Sequence, residues 1–150
     1  MNTQIKYAQF YLRLALGIDF IVPVLDRLGF IGSPGQKFIS WGDWSHFIGF
    51  TGMLVPFLSK PLINISGLIA TVLEVIFGLG LIIGLKTRLM AYGSFVLTLV
   101  FGICMAIFLG YKAPLNFQVF ACSAGSLLLS TLVNYNWSID DYFTNKKHRI

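Results

Sequence analysis

Three stretches of this chain, 62–85, 89–111 and 113–134, run on with a single charged side chain among them, Glu74. At 1.5 Å of rise per residue, a helix of that length crosses a hydrocarbon core roughly 30 Å thick. The runs define a polytopic membrane protein. A further apolar segment, 7–27, carries Arg13 and Asp19 and is costlier to insert. No small-residue cleavage site follows it, so it reads as a first helix rather than a signal peptide.

Composition narrows the function classes. Only 11% of the 150 residues are charged, against roughly 25% in soluble domains, while 56% are hydrophobic. The net charge of +5 is spread over loops and tail with no basic stripe, which sets aside nucleic-acid binding. Cys104 and Cys122 both fall inside apolar runs and offer neither a disulfide framework nor a zinc motif.

The expected architecture is all-α, an integral membrane four-helix bundle forming one domain over 1–150. Its spans are 7–27, 62–85, 89–111 and 113–134, with an outer loop at 28–61 and a tail at 135–150. Four crossings place both termini on one side, together with Lys6, Lys86, Arg88, Lys146, Lys147 and Arg149; Arg27, Lys37, Lys60 and Lys112 lie opposite. The positive-inside rule then makes the termini cytoplasmic, in a bacterial cytoplasmic membrane. Within the outer loop, Trp41, Trp44, Phe47, Ile48, Phe50, Leu54 and Phe57 recur at roughly helical spacing, with Asp43 as an N-cap. This predicts a short interfacial helix, serving as a simple lid or as the entrance to a site. In the tail, Tyr135, Trp137, Tyr142 and Phe143 form an inner aromatic belt, and Lys146, Lys147 and Arg149 are expected on anionic lipid.

Lipid tails are as apolar as leucine, so the helices must associate through close packing and polar contacts. Small residues mark the expected seams: Ser66, Ala70 and Gly78; Ser94, Thr98, Gly102, Ala106 and Gly110; Ala121 with Gly125, and Cys122 with Ser126 and Ser130. Cys104 and Cys122 lie at similar depth, within reach of contact.

Arg13, Asp19 and Glu74 are the candidate ligand-binding or proton-handling residues, because a charge at bilayer depth costs about 2.5–3.5 kcal/mol even on the lenient insertion scale. Two pairings stay open. Arg13 with Glu74 would lock the first helix to the second, whereas Asp19 against Glu74 would leave a protonated carboxyl able to donate a hydrogen bond. Pro23 frees the backbone carbonyl of Asp19, giving either a satisfied kink or a ligand pocket. Asp26, Arg27, Trp41, Asp43 and His46 form a candidate outer polar cluster. No catalytic triad, phosphate loop, haem, flavin or metal motif is present.

The run Leu73-Glu74-Val75-Ile76-Phe77-Gly78-Leu79-Gly80-Leu81-Ile82-Ile83-Gly84-Leu85-Lys86-Thr87-Arg88 resembles the DoxX family of small four-helix membrane proteins, with its glutamate, glycine-rich run and closing Gly-x-x-Thr-Arg turn. Arg13-Leu14-Ala15-Leu16-Gly17, Leu25-Asp26-Arg27-Leu28 and Trp41-Gly42-Asp43 are similar to other family segments, over about residues 8 to 132. Val24, Arg27 and Asp19 depart from the family's usual residues. The family includes DoxD-like subunits of thiosulfate:quinone oxidoreductase, so the resemblance implies a subunit of a membrane redox system, with a quinone-like or other apolar ligand as cofactor. The expected partners are membrane lipid, a redox subunit and further copies of the chain. A non-catalytic assembly or anchoring subunit is the alternative, and a small transporter a third; the sequence leaves open whether the protein is an enzyme.

Overall fold

The computed structural model describes residues 3–147, with side chains placed as far as residue 143. Arg149, expected on anionic lipid, lies outside the described residues, as do the side chains of Lys146 and Lys147. Seven helices follow in order: α1 (Thr3–Arg27), α2 (Trp44–Leu54), α3 (Lys60–Ile83), α4 (Thr87–Phe108), α5 (Lys112–Asn116), α6 (Val119–Thr131) and α7 (Ile139–Lys147). No strand occurs among the described residues. Three of the helices, α1, α3 and α4, are long and apolar enough to cross a membrane.

The last apolar run departs from its expected form. Instead of one helix over 113–134, the chain makes the single turn of α5 and then the 13-residue α6. Gln118 sits between them in the left-handed conformation, at φ 53°. That conformation costs an L-residue roughly 1–2 kcal/mol and is not continued into a helix. Pro114 lies within the α5 turn, which closes with Phe117 N donating to Ala113 O.

α1 packs on α3, α3 on α4, α4 on α6, and α6 returns to α1. The backbones of α1 and α3 approach closely where a Cβ built on Gly17 would stand 2.9 Å from Gly78 O and one on Gly78 would stand 3.1 Å from Gly17 O. Any larger residue there would push the helices apart. Of the expected seam residues, Gly78, Ser94, Thr98, Gly102, Ser126 and Ser130 are buried, whereas Gly110 and Ala121 are exposed. Ser123 Oγ donates across to Phe95 O at 3.3 Å, joining α6 to α4. Apolar side chains such as Leu68, Val72, Ile76 and Leu79 of α3 point outward and are about half exposed, as a lipid-facing surface requires.

At the end of the molecule where α1 begins, the segment after α6 folds back as a clasp. Asp140 accepts hydrogen bonds from Lys86 N at 2.8 Å and Thr87 N at 2.7 Å, capping α4, while its own N–H donates to Gly84 O at 3.0 Å. Trp137 stacks with Tyr7 and Phe10, so the expected aromatic belt is in part an internal contact with α1.

Candidate functional site

The opposite end holds a group of buried charged side chains. α1 finishes on Asp26 and Arg27, and both are buried, Arg27 to 2% exposure. Asp26 faces the loop that follows, accepting hydrogen bonds from Ser40 N and Gly42 N at 2.8 Å each, with Trp41 N at 3.4 Å. Gly42 has φ +70°, and a Cβ there would collide with the backbone of Ser33 and Pro34, so this tight crossing requires glycine.

Pinning residues 40–42 lays Trp41 over the end of α1. The Arg27 guanidinium carbon lies 5.2 Å from the Trp41 ring centroid and 3.9 Å from that of Phe47 on α2. Beneath these rings, each guanidinium nitrogen has a partner: Nε donates to Pro23 O at 3.1 Å, Nη1 donates to Thr71 Oγ1 at 2.9 Å, and Nη2 stands 2.6 Å from Glu74 Oε2. That last contact is a short, buried ion pair. Thr71 passes its own proton to Gly67 O at 2.8 Å. Glu74, 5% exposed near the middle of α3, thus has its charge balanced by a cation that reaches down from the end of α1.

Outside this buried pair lies an open groove of about 430 Å³, walled by Trp41, Phe50 and Met53 and edged by Ser40 and His46. Trp41 belongs to both. At the groove's edge Asp43 Oδ1 accepts the His46 backbone N–H at 2.8 Å, capping α2, and lies 2.8 Å from His46 Nδ1. These hydrogen bonds hold the Asp43 carboxyl below its ordinary value. With Nδ1–H donating to Asp43, Nε2 is left free to accept a proton from something in the groove.

The structure therefore brings Glu74 together with Arg27, Trp41 and, through the loop, Asp26, and it places Asp43 and His46 at the mouth. It does not bring Arg13 or Asp19 there, and neither expected pairing is found. Arg13 lies at the other end: Nη2 donates to Trp137 O at 2.7 Å and Nη1 approaches Asn136 O at 3.5 Å. The reason is that α1 overhangs α3, so Arg13 is level with Gly84, where α3 stops, rather than with Glu74. Asp19 is exposed on the outer face of α1 with the Cys122 thiol donating to its Oδ2 at 3.8 Å. This also turns Cys122 toward α1 rather than Cys104; both are free thiols. The carbonyl expected to matter beside Pro23 was that of Asp19, yet it is Pro23 O that takes the Arg27 Nε.

A family model for DoxX matches residues 8–111. The chain belongs to the DoxX family. The match takes in α1 to α4, including every residue of the candidate site just described, and stops short of the residue 132 expected from the sequence, leaving α5, α6 and α7 beyond it. No curated protein and no solved structure matches the chain.

Thr71, Phe47, Phe50 and Met53 join the DoxX site without having been singled out as site residues from sequence. Thr71 carried a signal, being three residues before Glu74 and so on its face. Phe47, Phe50 and Met53 carried none beyond helical spacing. No group of three or more metal-ligating side chains occurs among the described residues.

Proposed function

We propose that this DoxX chain is a subunit of a membrane redox system, and that its groove beside Trp41 holds the ring of a quinone-like molecule. The observation that carries the reading is the shared wall: Trp41 lies 5.2 Å from the buried Arg27 guanidinium and also lines the open groove. An aromatic ring slid in from the bilayer stacks on Trp41 and Phe50, with Met53 supplying polarizable apolar contact. His46 Nε2, aimed by Asp43, and Ser40 then serve the ring's oxygens as hydrogen-bond or proton partners. Arg27 and Glu74 are positioning residues that fix Trp41. Electrons pass to or from a partner subunit, since the chain has no redox motif of its own.

In this reading α5 and α6 complete a fourth crossing of a bacterial cytoplasmic membrane, α2 lies toward its outer interface, and both termini are cytoplasmic. The test is equilibrium binding of a short-tailed ubiquinone analogue to the detergent-solubilised chain. Saturable binding, weakened roughly 3–10-fold in His46→Phe by loss of one hydrogen bond and abolished in Met53→Arg, supports it. Non-saturable partitioning that is the same in all three proteins overturns it.

A second reading has its own observation: every Arg27 nitrogen has a partner within the fold. That saturation suits an assembly or anchoring subunit in which the pair bolts α1 to α3. This reading gains if the analogue does not bind and substitutions at the pair lower only stability.

A further inference from the structure

A concavity larger than the Trp41 groove lies at the other end, the one that carries α7. A groove of about 950 Å³ opens between the first turn of α4 and the last turn of α6, with α7 along its rim. Its deeper wall is apolar, from Leu89 of α4 and Leu127 of α6, and continues onto the lipid-facing surface, where Leu89 is 59% exposed. Its rim is cationic. Lys86 and Arg88 both line it, both are exposed, and neither forms an ion pair among the described residues.

Among the described residues the carboxylate lining this groove is that of Asp140, whose oxygens accept from the backbone N–H groups of Lys86 and Thr87. Tyr92, one helical turn beyond Arg88 on the same face, adds an exposed phenol. The groove thus combines two cations that form no ion pair among the described residues, an aromatic hydroxyl and apolar side chains, at the end of helices long enough to span a bilayer.

We infer that this groove is a binding site for one anionic phospholipid, its phosphate held by Lys86 and Arg88 and its acyl chains laid along Leu89 and Leu127. The chemistry fits because a phosphodiester accepts from both cations, a guanidinium meets it with two parallel donors, and the acyl chain buries surface that is otherwise left to bulk lipid. A free phosphate would use the rim and leave the apolar wall idle. The site is separate from the Trp41 groove, so its failure and that of the quinone reading are distinguishable.

The experiment uses the full chain in mixed micelles of phosphatidylglycerol and phosphatidylcholine at equal content, with retained lipid counted by native mass spectrometry. One phosphatidylglycerol is expected per chain in preference to phosphatidylcholine. Lys86→Gln and Arg88→Gln should each lower that preference about fivefold, as expected for one basic residue near an anionic lipid surface. The control pair Lys60→Gln with Lys112→Gln removes the same charge from the other end and should leave the preference intact. Equal retention of the two lipids, an equal loss in the control pair, or displacement of the lipid by millimolar inorganic phosphate would each overturn the site.

Discussion

Glu74 and Arg27 show how far a side chain can act from its own backbone. Residue counting puts Glu74 and Asp19 at similar depth, about a dozen positions in, and Arg13 about six residues nearer the end but with a side chain long enough to reach, which makes Arg13 and Asp19 natural partners for Glu74. The actual partner is Arg27, at the far end of α1, whose side chain folds down beneath Trp41 and Phe47. That Glu74 must be paired was legible from its place in an apolar run; which cation pairs it was not, because the offset between α1 and α3 is set by the Gly17–Gly78 approach and not by segment length. Removing one member of a buried pair leaves the other uncompensated, so Glu74→Ala should lower stability by about 3–5 kcal/mol. The double variant Arg27→Met, Glu74→Leu should lose much less. Unfolding of the detergent-solubilised chain in increasing SDS measures both, and equal losses in the two would mean that the charge pairing is not what the site depends on.

Among the elements, α2 was legible in outline: the aromatic spacing and Asp43 placed a helix start close to Trp44. The cap also makes α2 sensitive to acid. Asp43 is held below its ordinary value of 3.8, so its hydrogen bonds to His46 favour the folded helix above that value. As pH falls below 3.8 the unfolded segment takes up a proton first, and the contribution fades, vanishing below the lowered folded value. Backbone amides of Trp44–Leu54 should therefore lose protection between pH 5 and pH 3, after correction for intrinsic exchange, as about two units of pH bracket an ordinary carboxylate. In Asp43→Asn, which keeps an acceptor that cannot titrate, that loss should be flat; an identical loss in both proteins would assign it to another group. The break at Gln118 was not legible, since nothing in an unbroken apolar run marks where a non-glycine residue turns left-handed.

For the molecule as a whole, the all-helical class and the three long spanning helices followed from the charge-free runs, and the DoxX resemblance followed from the glutamate and glycine run on the third helix. Which end faces which compartment is a separate matter that a chemical probe decides. With Cys104 and Cys122 replaced by alanine, a membrane-impermeant maleimide on intact cells should label Phe38→Cys, in the 90%-exposed loop position, and spare Tyr142→Cys until the cells are opened. The reverse pattern would invert the orientation.

The clasp formed by residues 136 to 140 bears on how such a chain is made. Arg13 finds its backbone acceptors 123 and 124 positions later, and Lys86 and Thr87 find Asp140 after 54 and 53. At translation speeds of about 5–20 residues per second, the first helix waits on the order of 6–25 s with its guanidinium unanswered. The first helix to enter the bilayer thus keeps one end unsecured until nearly the whole chain is made, and that end's maturation is timed by the arrival of Asn136 and Trp137.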